Sequence, residues 1–193
     1  LRLETGWKNS MKSFRFLYIV LMLIQLWENV GAEVYVVGSL KTGLLIHRDI
    51  DIHVYTDNVS VSDSFAVMGK LAEGMNLVEL HYKNGLDTEE ECVEWHALFD
   101  DKDKNRWKLD LIHIRKGSMY DGVVESVADA IARKLTPELR RTILQIKYDM
   151  PKDALIPGIE VYHGVFAGGV KTYEELLQWQ KTNPLTDSLG WMP

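Results

Sequence analysis

Two aspartates separated by a single residue carry the strongest chemical signal in the chain. If Asp49-Ile50-Asp51-Ile52 is a strand, its alternation places both carboxylates on one face and both isoleucines on the other. Two like charges roughly 7 Å apart on one strand face repel each other unless a cation lies between them. Mg²⁺ prefers carboxylate oxygens combined with substrate phosphates. We therefore expect Asp49 and Asp51 to be metal ligands and catalytic residues.

A glycine–serine turn comes shortly before these aspartates. The β-branched run Glu33–Val37 predicts a strand that ends at Gly38, where the missing side chain lets the backbone approach a ligand. Ser39 can cap a short helix after this strand, so that its hydroxyl and the nearby amides form a small anion site. We expect Gly38 and Ser39 to bind phosphate, with Lys41 and Arg48 adding positive charge. Both cations could instead be solvated or paired at the surface.

The turn and the paired aspartates together resemble the signature of the DNA polymerase β-type nucleotidyltransferase superfamily. That signature is an apolar residue, Gly, then Gly or Ser, about nine to thirteen further residues, and Asp-apolar-Asp/Glu-apolar. In this chain 37–39 fills the first part, nine residues intervene, and 49–52 fills the second. Gly43 matches a further glycine that many members carry.

The residues before the first aspartate are similar to one branch of this superfamily. Many members have Ser there, whereas this chain has His47-Arg48. The form His-Arg-Asp-apolar-Asp is more similar to the enzymes that adenylylate aminoglycosides and lincosamides. Because the resemblance covers only about sixteen residues, it identifies the superfamily better than the substrate.

The resemblance implies both a fold and a reaction. The fold class would be α/β (α+β), with a nucleotidyltransferase-type mixed β-sheet, flanking helices and a C-terminal helical part. The reaction would be the metal-dependent transfer of a nucleoside monophosphate from a nucleoside triphosphate to a hydroxyl acceptor, at a two-metal Mg²⁺ site. We expect a nucleotidyltransferase core over residues 1–117 and a C-terminal helical region over residues 118–193.

A third carboxylate is needed for two-metal phosphoryl transfer, near the attacking hydroxyl. Family members place this acid on a later strand. Asp110 is our candidate for this catalytic and metal-binding role, because it lies alone in the mostly apolar run Trp107–Ile114. Burying a lone aspartate is costly without a partner, and a metal would supply one. The alternative is a strand-end aspartate at the sheet edge.

Composition narrows the expected acceptor and location. A chain of 193 residues with 46% hydrophobic residues suits one α/β core plus a helical appendage, or two very small domains. The net charge of −6 weighs against bulk nucleic-acid binding, so a small-molecule acceptor is expected. The single cysteine, Cys92, excludes an internal disulfide, and a reducing cytoplasm is the simplest location.

Two other classes of function stay open at this point. The chain could keep the nucleotidyltransferase fold as a non-catalytic or regulatory module. It could also be a toxin–antitoxin type nucleotidyltransferase that acts on RNA or protein. The presence of Asp49, Asp51 and Asp110 favours an active enzyme over a degenerate domain.

The N-terminal segment resembles a secretory signal, since basic residues precede the apolar run Phe16–Ile24. This run is shorter than the about 20 apolar residues of a membrane-spanning helix. Polar residues, among them Gln25 and Glu28, follow it directly, and the predicted first strand comes soon after. We therefore expect a buried helix over residues 9–29 and no membrane partner, with export or membrane association as the alternative.

The remaining pattern predicts the elements that must position these residues. Beyond the strand at 33–37 and a short helix to residue 45, we expect strands at 48–55, 77–83, 93–99 and 106–115. The last two flank a charged loop and should form an antiparallel hairpin. Further helices are expected at 60–72, 123–135, 136–149, 159–166 and 173–181.

Overall fold

The computed structural model describes residues 14–151, 153–186 and 191–193. Its helices are α1 (Phe14–Glu28), α2 (Gly38–Thr42), α3 (Val61–Gly74), α4 (Val123–Lys134), α5 (Pro137–Asp149), α6 (Gly158–Gly168) and α7 (Tyr173–Gln180). Its strands are β1 (Glu33–Val36), β2 (Asp49–Thr56), β3 (Asn76–Asn84), β4 (Cys92–Asp100) and β5 (Arg106–Arg115). The predicted α/β (α+β) class, a mixed sheet with flanking helices, is confirmed.

The five strands form one sheet in the order β1-β2-β5-β4-β3. Strands β3, β4 and β5 are successive antiparallel neighbours, which confirms the predicted hairpin. Its charged loop is organised by Asp101, whose Oδ1 accepts hydrogen bonds from the amides of Asp103 and Asn105, both at 2.9 Å. The order places β5, which carries Asp110, between β2 and β4.

The predicted elements agree closely with the observed ones, with one exception at α2. Val37 occupies the N-cap of this helix and Ser39 lies inside it, so the prediction that Ser39 caps the helix is wrong. Every predicted strand is present, and its ends lie within one residue of the expected positions. The short helix that was expected to reach Leu45 ends at Thr42, because Gly43 adopts a left-handed conformation with φ 69°. The first residues of the predicted N-terminal helix, 9–13, lie outside the described residues.

Helix α5 begins as its sequence predicts. The Thr136 hydroxyl accepts a hydrogen bond from the amide of Leu139 at 3.2 Å, and Pro137 occupies the first turn. Proline is favoured there because its fixed φ suits the helix and its missing N–H is not needed. The helix that begins here buries Ile143 and Ile146 in a hydrophobic core.

Contacts divide the chain into two compact units. The first comprises residues 1–35 and 52–121, and the second comprises residues 36–51 and 122–193. The boundary after Asp51 falls inside β2. The predicted division after residue 117 stays a prediction.

The first unit contains the antiparallel strands and two long helices. Trp95 is fully buried, packs edge-on against Phe65, and donates from Nε1 to the Ser64 hydroxyl at 2.8 Å. Helix α1 also contributes to this core, since Leu23 and Trp27 are buried. None of the helices among the described residues is long and apolar enough to cross a membrane.

The second unit is helical and has its own core. Leu44, which follows the short helix α2, is completely buried there together with side chains from the four C-terminal helices. This cluster comprises Leu44, Val127, Ile131, Ile143, Ile146, Val161, Tyr162, Val165, Val170 and Leu176. The turn that follows β1 is therefore anchored by hydrophobic packing within this unit.

Candidate active site

The two aspartates of β2 lie on one face of the strand. Asp49 and Asp51 are both partly exposed, whereas Ile50 and Ile52 are completely buried. This pattern confirms the alternation that was predicted from their spacing. Because both carboxylates keep part of their surface exposed, they can reach a ligand. The buried isoleucines on the other face hold the strand in place.

Gly38 is required by the close approach of Asp51. A Cβ atom added to Gly38 would lie 2.1 Å from Asp51 Oδ2, well inside van der Waals contact. Gly38 also has a φ of 61°, which side chains other than glycine disfavour. The amide of Val37 donates to the Asp51 carbonyl at 3.0 Å, so the backbone holds the turn against the strand.

We expect Gly38→Ala to lower the nucleotidyl transfer that the sequence predicts by about a hundredfold, because the new methyl group must displace the Asp51 carboxylate. Gly169→Ala is the matched control, since Gly169 has a φ of 63° but nothing lies within 4 Å of an added Cβ. The left-handed strain of about 1–2 kcal/mol is common to both variants. Thermal melting and transfer rates separate the two effects. Equal activity of the two variants would contradict the steric role.

The Ser39 hydroxyl is held by two side chains from distant helices. Lys147 of α5 donates from Nζ to Ser39 Oγ at 2.9 Å, and the Tyr162 hydroxyl of α6 lies 3.1 Å from the same oxygen. Lys147 also donates to the carbonyl of Leu44 at 2.8 Å. The residue predicted to bind phosphate thus lies beside a primary amine, which is a common phosphate ligand.

Sequence reasoning missed Lys147 and Tyr162. A signal for the lysine was present, because Lys147 follows directly after Ile146 and lies one turn beyond Ile143 on the buried stripe of α5. A charged residue within the buried stripe of a helix is unusual and marks a site worth testing. Tyr162 is 5% exposed and carries no comparable signal in the pattern of α6.

The electrostatics of Lys147 connect it to the two aspartates. Burial lowers the pKa of Lys147 from 10.5 to about 8, and the charges of Asp51 and Asp49 act in the opposite direction. The ammonium group therefore lies in the field of both carboxylates. A lysine with such a pKa carries its charge at neutral pH and loses it under mildly alkaline conditions.

The two remaining predicted phosphate ligands lie at the surface. Lys41 forms an ion pair with Asp129 of α4, at 3.2 Å between Nζ and Oδ1, and both side chains are about half exposed. Arg48 is exposed directly before β2. Exposed ion pairs contribute little to stability and are easily exchanged. Phosphate binding by Lys41 and Arg48 therefore stays a prediction.

Asp110 lies in the middle of β5, so the alternative of a strand-end aspartate at the sheet edge is wrong. Its Oδ1 lies 2.6 Å from Nδ1 of His96, and its Oδ2 is paired with Lys108. Although burial opposes the shift, hydrogen bonds to Asp110 and Glu94 raise the pKa of His96 above its ordinary value. These partners stabilise a carboxylate inside an apolar strand without any metal.

The two predicted acidic residues of β2 lie close together. One carboxylate oxygen of Asp49 and one of Asp51 lie within 4.8 Å of each other, and both side chains are partly buried. Two hard oxygen donors at this separation fit Mg²⁺, which uses one or two carboxylates and completes its shell with phosphates and water. The donor chemistry therefore suits the metal that the sequence predicts. The participation of Asp110 in this metal site stays a prediction.

The fold is similar to that of solved poly(U) polymerase structures. A mutant of the Cid1 poly(U) polymerase bound to MgATP gives a TM-score of 0.52 at 15% identity, covering 82% of this chain and 49% of that one. The MgGTP-bound polymerase gives 0.50 at 16% identity, covering 82% and 49%. A Cid1 structure described by its RNA terminal uridylyl transferase activity gives 0.50 at 15% identity, covering 83% and 46%.

No protein-family model and no curated protein matches the chain. At 15–16% sequence identity, the similarity to the solved structures shows the fold alone. The chain has the nucleotidyltransferase fold and spans about half the length of these polymerases.

Proposed function

We propose that this protein is a metal-dependent nucleotidyltransferase, which transfers a nucleoside monophosphate from a nucleoside triphosphate to a hydroxyl group. The observation that carries the proposal is the placement of Gly38 and Ser39. The Asp51 carboxylate lies against Gly38, and the hydroxyl of the following residue, Ser39, accepts a hydrogen bond from Lys147. The carboxylate proposed to bind metal thus lies next to the groups proposed to bind phosphate.

Each residue has a distinct role in the proposed reaction. Asp49 and Asp51 would hold Mg²⁺, which supplies charge neutralisation at the phosphates when bound. Ser39 and Lys147 would bind the triphosphate oxygens and orient the α-phosphorus. Asp110 would complete the metal site or accept the proton of the acceptor hydroxyl.

The chemical step follows from this arrangement. The acceptor oxygen attacks the α-phosphorus and forms the new P–O bond, while the bond to the bridging oxygen of the β-phosphate breaks. Pyrophosphate leaves with the electron pair of the broken bond, and the hydroxyl proton passes to Asp110 or to water. Because the side chains make no covalent bond to the substrate, catalysis rests on positioning and charge.

A small molecule is the first candidate acceptor. The His47-Arg48-Asp49 sequence is similar to the adenylylating branch, and a net charge of −6 disfavours bulk contact with phosphate backbones. An RNA terminus is the second candidate, because a fold neighbour is described as an RNA terminal uridylyl transferase. The local positive charge of Lys41 and Arg48 is compatible with either acceptor.

Labelled ATP, UTP, GTP and CTP, each supplied with Mg²⁺, test the proposal. The protein is incubated with a library of hydroxylated small molecules and with a short RNA. We expect label to transfer to an acceptor with release of pyrophosphate. Triphosphate binding without transfer to any acceptor would favour the regulatory alternative, and stabilisation by no nucleotide in thermal melting would contradict the proposal.

Asp110→Asn is expected to lose transfer but to keep part of the nucleotide binding. The asparagine can retain the hydrogen bond to His96, and the lost pair with Lys108 is partly exposed, so metal-free stability should change by less than about 1 kcal/mol. Lys108→Met is the control, since it breaks the same pair but keeps the carboxylate. Full transfer activity in Asp110→Asn would remove Asp110 from the site. A large loss of metal-free stability would assign it a structural role.

A further inference from the structure

The turn after α2 is held by two cationic side chains of α5. Arg140 donates from Nη1 to the carbonyl of Gly43 at 2.5 Å and from Nη2 to the carbonyl of Thr42 at 3.3 Å. Lys147 donates to the next carbonyl, that of Leu44, at 2.8 Å. Three successive carbonyls therefore accept hydrogen bonds from one helix. Arg140 and Lys147 are seven residues apart, about two helical turns, and so project from the same face.

These carbonyls need partners because α2 ends abruptly. Its last backbone amides turn back on the helix, with Gly43 donating to Leu40 and Leu44 donating to Ser39. Carbonyls at the end of a helix have no intrahelical donor, and burial makes an unmet carbonyl costly. The flat guanidinium fork of arginine can serve two neighbouring carbonyls at once, which the single ammonium group of lysine does less well.

Gly43 leaves room for this arginine. A Cβ atom on Gly43 would lie 2.8 Å from Arg140 Nη1, and the residue has a φ of 69°. The left-handed backbone therefore favours glycine here, and a side chain at this position would press against the end of the Arg140 guanidinium. The two hydrogen bonds from Arg140 to carbonyls of this turn make it part of the turn's structure.

We propose that Arg140 is a positioning residue for nucleotide binding, an inference that rests on the proposed function. Lys147 divides its donors between the Leu44 carbonyl and the Ser39 hydroxyl. A bound triphosphate competes for those donors and weakens the hold of Lys147 on the turn. Arg140 keeps the Thr42 and Gly43 carbonyls fixed during that exchange, so Ser39 stays in place without Arg140 touching the substrate.

The test compares Arg140→Ala and Arg140→Lys with the control Arg141→Ala. Arg141 is the next residue on α5, is exposed, and contacts only Glu138 among its described ion pairs. We expect Arg140→Ala to raise KM and the Kd for a non-hydrolysable Mg²⁺–triphosphate by about tenfold, with kcat changed less than about twofold. Arg140→Lys should recover part of this affinity, since lysine can donate to one carbonyl.

A second measurement does not depend on nucleotide. Hydrogen exchange at the Gly43 and Leu44 amides should accelerate in Arg140→Ala and stay unchanged in Arg141→Ala. A lower kcat with unchanged KM, or unchanged amide exchange, would overturn the positioning role. If the wild-type protein binds no triphosphate, the proposed function fails, and the exchange data still decide whether Arg140 holds the turn.

Discussion

Asp51→Asn is expected to lower nucleotidyl transfer by about 10³-fold and to abolish Mg²⁺-dependent triphosphate binding. Asparagine has nearly the volume of aspartate, so the contact with Gly38 is kept while the negative charge is removed. A neutral amide is a weak ligand for Mg²⁺, which strongly prefers carboxylate oxygens. The same change also removes one of the two charges that oppose the lowering of the pKa of Lys147.

Asp57→Asn is the matched control for this experiment. Asp57 directly follows the end of β2, and its side chain is 88% exposed, so the same chemical change is made on the same segment away from the turn. Calorimetric titration with Mg²⁺ and a non-hydrolysable triphosphate measures binding, and melting measures the fold. An Asp51→Asn variant that still binds the metal–nucleotide complex would remove the basis of the assigned metal site.

The predictable part of this site is the part that lies close together in sequence. The turn at Gly38 and the alternation of Asp49 and Asp51 follow from residue types within one short segment. Backbone geometry then determines which way each side chain points, independently of the rest of the chain. The same reasoning located every strand, because turn residues and β-branched runs act locally.

The contacts of Ser39 could not be predicted in this way. Lys147 lies 108 residues after Ser39, and Tyr162 lies 123 residues after it. Helical periodicity identifies the buried face of α5, but it does not reveal which carbonyls or hydroxyls that face meets. Arg140 was missed for the same reason, since its partners lie 97 and 98 residues away.

Asp110 shows the intermediate case. Its strand was predicted correctly, but local patterns do not fix the order of strands in a sheet. The placement of β5 between β2 and β4 decides that Asp110 lies inside the sheet and not at its edge. The pairing with His96 likewise depends on the register of β4 against β5, in which these two residues lie opposite each other. Cross-strand partners of this kind become visible only once the register is known.

Lys147→Met is expected to raise the KM for the triphosphate by about 10- to 100-fold, because a charged hydrogen bond is lost from the phosphate site. Methionine is one atom shorter than lysine and lacks only the terminal ammonium position, so packing between α5 and Leu44 should persist. Lys147→Arg retains the charge and serves as the control. If Lys147→Met binds the triphosphate as tightly as the wild type, the amine has no role in phosphate binding.

The pH dependence gives a sharper test of the same residue. Since the pKa of Lys147 is about 8, its ammonium charge is lost as the pH rises through that value, and kcat/KM for the wild type should fall. Lys147→Arg should show no such fall, because arginine stays protonated.

The stability of the wild type should change with pH in the opposite direction to its kcat/KM. Between pH 8 and 10.5 the unfolded chain binds the proton that the folded protein has released, so this group makes the free energy of unfolding increase with pH. A wild-type profile that matches Lys147→Arg across this range would show that the charge of Lys147 does not contribute to nucleotide binding.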